Sequence, residues 1–361
     1  MRIVVDINHP GHVHYFKQFI WEMKERGHEV LITASEKDIT FRLLESYHLD
    51  FENMGTYGAS LVSKLANIPI IDIRYYRLMK SFKPNIFVGF GSIRAAHVSF
   101  LLRKPCINFE DTEHSTEQIR LYLPFVDAVC TPSCYTQDLG KKQIRFDGYM
   151  ELASLHPNRF TPNPAVLTEI GLTEGDPFII VRFVSWEASH DVGQHGIRDR
   201  VGLVKALEQY GRVLITSEGA LPPELRSYQI RVSPEKLHDL LYYATLYVGE
   251  GGTTASECAV LGTHAIYVNS LGLGYTTEED EKYHLVSDFS GRDCTDETVL
   301  AEARRLLQSS DLRKEGKQKG ETLVQDKIDV TAFMVWFIEN YPESADQMKR
   351  HPETQQKFGH H

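Results

Sequence analysis

The strongest chemical signal in this chain is a run of seven residues, "GGTTASE", at 251–257. It follows a strand pattern ending at Tyr247 and Val248 and leads into a helical pattern that runs to Leu261, with a further strand at 265–268. A strand-turn-helix unit of this kind leaves backbone N–H groups unpaired at a helix end that carries partial positive charge, and phosphate binds such ends. Gly251 and Gly252 let the chain turn closely, while Thr253 and Thr254 add hydroxyls. Ser256 and Glu257 follow at the start of the helix. Glu257 reads either as an acceptor for both hydroxyls of a ribose or as an acid complementing the helix dipole.

Four other loops carry residues of chemical interest at strand ends. In "DINHPGHVHYF", Pro10 and Gly11 turn the chain and His12 meets a helix N-terminus, where the dipole favours a neutral imidazole able to accept a proton. The alternative is that these histidines cap and pack the first helical turn. His9, His12 and His14 have no fixed acidic partner nearby, so no metal is expected there. "GFGSI" brings Gly89, Gly91 and Ser92 to a ligand or to a tight turn. "FEDTEH" places Glu110, Asp111, Thr112, Glu113 and His114 directly after a strand, facing substrate or capping the next helix. Arg182 lies inside the apolar strand "FIIVRF", where a charge needs a phosphate or an internal carboxylate as partner. Ser185, Glu187, His190, Asp191 and His195 follow it in one loop.

The elements that must position these residues alternate. Strands are expected at 3–7, 30–34, 86–89, 106–109, 128–131, 178–183, 212–217 and 228–232, and helices near 13–26, 39–47, 95–103, 202–209 and 234–244. Val13, Phe16, Ile20 and Met23 recur at helical offsets and form one buried stripe. Such alternation means parallel sheets covered by helices, with ligands at the carboxyl ends of strands. Prolines 157, 162, 164 and 177 interrupt the pattern, so we expect domains at 1–165 and 166–329. A late helix near 330–341, containing "FMVWFI", is expected to return toward the first domain, followed to residue 361 by a polar, frayed tail.

The 361 residues suffice for two cores, and a net charge of −10 argues against nucleic acid as the main partner. Five cysteines without a CxxC pair, Cys130 and Cys134 included, read as thiols of a reducing compartment. No run approaches the roughly 20 apolar residues of a membrane span and no leader precedes the first strand, so a cytoplasmic protein is expected, with peripheral membrane contact left open.

Taken together, the loops resemble the GT-B glycosyltransferases, most closely the N-acetylglucosaminyltransferase of the lipid II pathway and an uncharacterised group of its relatives. The family's G-x-x-T-x-S-E segment, which holds the nucleotide diphosphate, matches Gly251, Thr254, Ser256 and Glu257; its glycine-histidine turn matches Gly11 and His12. Its Gly-x-Gly strand end matches Gly89 and Gly91, its His-Glu-Gln-Asn matches "FEDT" with Glu110 in register, and a serine aligns with Ser185. The resemblance implies an α/β fold of two Rossmann-like doubly wound domains facing across a cleft. It also implies a UDP-sugar donor bound in that cleft, transfer to an unidentified acceptor hydroxyl without metal or other cofactor, and a place in polysaccharide or cell-envelope synthesis. His12 or Asp111 would be the base, and Glu257 would bind the ribose. Departures are Thr263 in place of the usual proline, "NSLGLGYTTEEDEK" where the sugar-reading glutamines belong, and "GYMEL" in place of the hinge arginine. The non-hydrolysing UDP-N-acetylglucosamine 2-epimerases share this architecture and give the second reading, and a nucleotide-sugar-binding protein without turnover gives the third.

Overall fold

The computed structural model describes residues 1–56, 58, 61–184, 196–290 and 294–359, with the backbone alone for 61–66. The chain divides into two compact units, Met1–Arg159 with Lys327–His361, and Phe160–Asp326.

The first unit runs β1 (Arg2–Ile7), α1 (Pro10–Glu25), β2 (Glu29–Ala34), α2 (Thr40–Ser46), β3 (Glu52–Asn53), α3 (Leu61–Phe82) and β4 (Ile86–Phe90). It continues through α4 (Ile93–Leu102), β5 (Cys106–Phe109), α5 (Thr116–Tyr122), β6 (Ala128–Pro132), β7 (Gln143–Phe146) and α6 (Leu152–Leu155). The strands form one parallel sheet in the order β3-β2-β1-β4-β5-β6-β7. Helices cover both faces of such a sheet, so its central strands are mostly apolar rather than alternating, with Asp6 on β1 and Asn108 on β5 as buried polar exceptions. Helix α1 begins at Pro10, three residues before the expected 13, because proline suits the first helical position and the His9 ring accepts from the Gly11 N–H at 3.1 Å. Its stripe of Val13, Phe16, Ile20 and Met23 is fully buried.

The second unit runs α7 (Ala165–Glu169), β8 (Phe178–Phe183), α8 (Arg200–Leu207), β9 (Arg212–Ser217), α9 (Leu237–Tyr243), β10 (Leu246–Gly249), α10 (Gly252–Val260) and β11 (Ala265–Tyr267). It ends with α11 (Gly274–Glu281), β12 (Val286–Asp288), α12 (Asp296–Leu307) and α13 (Leu312–Asp326). Its parallel sheet has the order β12-β11-β10-β8-β9 over a core that includes Ile179, Val181, Val248 and Ile266. The strand expected at 228–232 is reduced to one bridge between Ile215 and Gln229, because the preceding residues Pro223–Tyr228 coil into a 3-10 turn.

The chain then returns to the first unit as α14 (Val330–Glu339), and α15 (Glu343–Arg350) follows it. Phe333 stacks on Phe146 at 5.6 Å between ring centroids. Among the described residues the polar tail is not frayed. Pro352–Phe358 forms a 3-10 turn, Phe358 lies 5.5 Å from the Trp336 ring, and Gln355 accepts from the Asp147 N–H at 2.6 Å. No described helix is long and apolar enough to cross a membrane.

Candidate functional sites at the strand ends

In each sheet one pair of hydrogen-bonded neighbours marks the point where strand order reverses: β8 beside β10 in the second unit, β1 beside β4 in the first. Ligands of open parallel sheets bind outside the carboxyl ends of strands at such points. Of the residues singled out by sequence, His12 follows β1, Gly91 and Ser92 follow β4, Glu110 and Asp111 follow the neighbouring β5, and Arg182 on β8 lies beside the Gly251–Thr254 turn after β10.

In the second unit Arg182 is in register with Gly249, and the Glu250 N–H donates to the Arg182 carbonyl at 3.1 Å. The chain then enters α10 with Gly251 as N-cap and no capping side chain, and the first turn holds no acid. Gly251 has a φ of −95°, open to any residue, so its glycine serves proximity rather than turning. A Cβ there would stand 3.1 Å from Arg182 Nε, which places the guanidinium against the open helix end. Gly252 is required by packing, since a Cβ would meet Leu273 Cδ1 at 2.4 Å and the Tyr275 hydroxyl at 2.9 Å. Thr253 is half-buried and Thr254 buried in the same turn.

Arg182 has the internal carboxylate that sequence left open: Glu218 Oε1 lies 2.8 Å from Nη2, with both side chains about a quarter exposed. A pair this wet contributes roughly 0–1 kcal/mol, so a doubly charged phosphate can replace the carboxylate.

One expected ligand contact of α10 needs correction, and a second gains a partner. Ser256 is fully buried and donates to Glu279 Oε1 at 2.5 Å, so its hydroxyl is a packing group. Glu257 is neither exposed nor a simple dipole partner, for its Oε1 lies 2.8 Å from His238 Nε2 on α9, both residues being buried. Sequence missed His238, a polar residue within the apolar pattern "PEKLHDLLYYA", and it missed Glu250 as well. Glu250 is buried just before the two glycines and accepts from the N–H groups of Val184 (2.8 Å) and Ile197 (2.9 Å). Ser185 and His190, with Glu187, Asp191 and His195, lie outside the described residues.

In the first unit a buried network forms behind the reversal point. Asp6 accepts from Thr33 (2.5 Å), Ser92 (2.5 Å), Asn8 (2.8 Å) and the Arg94 guanidinium (2.7 Å), with Asp6 and Arg94 fully buried. Ser92 also caps α4 and is itself wholly buried, so the substrate contact expected of it is replaced by a structural one. Gly91 sits at φ +51°, and a Cβ would meet Gln118 Nε2 at 2.7 Å; it makes the tight turn. A Cβ on Gly11 would lie 3.3 Å from His9 Nδ1, beside the helix cap.

His12 packs between Tyr15 and Phe90, and burial, aided by Lys37, pushes its pKa down to about 3. It is neutral, as expected, but too weakly basic to take a proton readily. The Asn8 N–H donates to His12 Nδ1 at 3.3 Å, leaving the neutral ring's proton on Nε2. The Nε2–H of His12 is thereby set as a donor.

That loop does not cap α5, which starts only at Thr116. Glu110 accepts from the Thr112 N–H at 3.0 Å and the Tyr122 hydroxyl at 3.0 Å. Burial and then Asp111 raise its pKa to about 8. Asp111 accepts from the Thr112 hydroxyl at 2.9 Å, while its Oδ2 is buried without a hydrogen-bond partner. Burial, and after it the carboxylate of Glu151, holds Asp111 well above the usual carboxylate range. Glu151 is a further residue that sequence did not single out; it lies in "GYMEL", where its Oε1 accepts from the Tyr15 hydroxyl at 3.1 Å. Among the described residues no group of histidine, cysteine and acidic side chains is arranged to hold a metal.

A family model described as a protein of unknown function, DUF354, matches residues 1–339. The chain belongs to this family. An uncharacterized protein of Methanocaldococcus jannaschii is 27% identical to this DUF354 chain over 301 residues, 78% of this chain and 86% of the other. Among solved structures, a spinosyn rhamnosyltransferase complexed with spinosyn aglycone is similar with a TM-score of 0.62 at 14% identity, covering 94% of this chain and all 100% of that one. The UDP-GlcNAc 2-epimerase of Neisseria meningitidis bound to UDP-GlcNAc gives a TM-score of 0.61 at 12% identity, covering 90% and 98%. These likenesses establish the GT-B fold of the DUF354 chain, shared by transferases and epimerases alike.

Proposed function

We propose that this protein binds a nucleotide-diphosphate sugar, with UDP as the carrier, and transfers the sugar to an acceptor hydroxyl. The single observation that carries the reading is the Arg182 guanidinium lying against Gly251 at the uncapped N-terminus of α10. A guanidinium, unpaired N–H groups and a helix dipole aimed at one point stabilise the charge that grows on a departing diphosphate, and they do so without needing a metal. Thr253 and Thr254 would add hydroxyl donors. Glu257, held by His238, would accept the ribose hydroxyls.

Proton transfer falls to Asp111, with Glu110 beside it. A carboxyl whose pKa is raised above the usual carboxylate range is, once ionised, a stronger base toward an alcohol proton than an ordinary carboxylate. His12 would donate a hydrogen bond through Nε2–H rather than act as base.

The same raised carboxyls favour the second reading, in which the sugar nucleotide alone is epimerised, because a protonated carboxyl can also return a proton to a sugar carbon. Incubation with UDP-N-acetylglucosamine alone, followed by proton NMR, separates the two. Under the transferase reading the sugar keeps its configuration and is released only when an acceptor alcohol is supplied. A new epimer in the absence of acceptor would overturn transfer in favour of epimerisation.

A further inference from the structure

At the carboxyl end of β8 a side chain takes the place of a backbone hydrogen bond. Arg182 pairs with Gly249, and the Glu250 N–H donates to the Arg182 carbonyl. In a parallel ladder the next bond would run from the Val184 N–H to the Glu250 carbonyl. Instead the Val184 N–H donates to Glu250 Oε2 at 2.8 Å, while the Glu250 carbonyl accepts from the Asn269 side-chain amide at 3.1 Å. The carboxylate thus carries the ladder one rung past the point where the backbone turns away into α10, and it gives a strand-end donor the partner that a buried N–H requires.

The other oxygen, Oε1, accepts from the Ile197 N–H at 2.9 Å, on the approach to α8. Arg200, the first residue of α8, lays its guanidinium over the Phe183 ring at 4.7 Å and reaches both the Val184 carbonyl and Glu250 Oε2 at 3.4 Å. Val184 is therefore held at its N–H by Glu250 and at its carbonyl by Arg200. The Glu250 side chain is wholly buried, and Arg200, partly exposed, supplies the opposite charge that a buried carboxylate needs. A carboxylate one residue before the N-cap of α10 would repel phosphate, yet here both oxygens are engaged by donors of β8, of the α8 approach and of Arg200, which offset its charge.

We propose that Glu250 is a positioning residue of the diphosphate site, holding the end of β8 so that Arg182 stands against the open N-terminus of α10. Arg182 lies two residues before Val184 on the same strand, and the space between strand and turn is narrow. A Cβ on Gly249 would stand 3.0 Å from Arg182 Cβ, and one on Gly251 3.1 Å from Arg182 Nε. The Tyr247 hydroxyl holds the turn from its other side, donating to the Gly251 carbonyl at 3.2 Å. A β8 end released from Glu250 lets the guanidinium drift from this point, and a charge-assisted contact depends on its geometry. The inference rests on the reading of the α10 end as the place of the diphosphate.

The test is a double-mutant cycle on UDP binding in wild type, Glu250→Gln, Arg182→Ala and the double variant, read by titration calorimetry and, for the weakest complexes, by phosphorus NMR titration. Glu250→Gln should weaken UDP about tenfold where Arg182 is present and less than about twofold where it is alanine, because a residue that acts through another loses its effect with it. Arg200→Gln, a change at a partly exposed side chain, should show the same dependence on Arg182 with a loss of a few-fold, and it decides the matter if circular dichroism shows Glu250→Gln unfolded. Equal losses in both Arg182 backgrounds, unchanged affinity, or a gain from removing a negative charge would overturn the positioning role and leave the diphosphate site standing. No saturable binding of UDP to wild type would instead overturn the reading of the site itself, and this role with it.

Discussion

Arg182 and Glu218 form an ion pair that a ligand can exchange, and this gives substitutions of opposite sign. Glu218→Gln removes the competitor of phosphate while leaving Arg182 in place, so UDP affinity should rise a few-fold by titration calorimetry, in keeping with the roughly 0–1 kcal/mol of a partly exposed pair. At Glu110 the sign runs through pH. Its pKa rises from 4.5 in the unfolded chain to about 8 in the fold, so the native state holds the extra proton between these values. The stabilising contribution is complete below 4.5 and is lost as pH climbs through about 8, on the order of a few kcal/mol. Glu110→Gln should therefore melt higher than wild type at pH 9 and the same at pH 4, as measured by circular dichroism. A parallel pH dependence in both proteins would contradict the burial of an ionisable group there. Sequence placed Glu110, Asp111 and Arg182 at strand ends because residue type and strand position are local properties. It could not see Glu218 as the partner of Arg182, Glu151 beside Asp111, or His238 as the partner of Glu257, since those contacts join residues 36, 40 and 19 positions apart.

At the scale of elements, α10 is the piece on which the second unit's chemistry rests. Its N-terminus is open because a glycine stands where a capping Ser, Asp or Asn would, and its second glycine is packed beneath Leu273 and Tyr275. Gly252→Ala should thus destabilise the fold by about 1–3 kcal/mol through overpacking, read in a urea melt. The strand-turn-helix unit was legible since its hydrophobic period changes sharply at Gly251. The roles of Ser256 and Ser92 were not, because a serine beside a helix start looks the same whether its hydroxyl faces a ligand or a buried acid such as Glu279 or Asp6. The 3-10 turns at Pro223–Tyr228 and Pro352–Phe358 were missed for a related reason: short polar segments gain their order from what they pack on.

For the whole molecule, two parallel sheets with their own cores make ligand binding a local event that stability can report. A nucleotide held at α10 should slow amide exchange most at residues 251–257 and along β8 and β10, while the β1 to β7 sheet keeps its own exchange rates. Protection confined to the first unit would place the nucleotide elsewhere. The fold class was readable from the alternation of strands and helices because buried parallel strands are apolar runs. Three of the four edge strands were harder, since β3, β7 and β12 are only two to four residues long.

The central claim is that Arg182 and the α10 N-terminus together hold a diphosphate, and titration calorimetry of UDP into wild type and Arg182→Ala tests it most directly. The account predicts saturable binding to wild type, weakened by about 1–3 kcal/mol in the variant as a charge-assisted contact is lost. Equal affinity in the two proteins, or no heat with wild type at millimolar UDP, would contradict it.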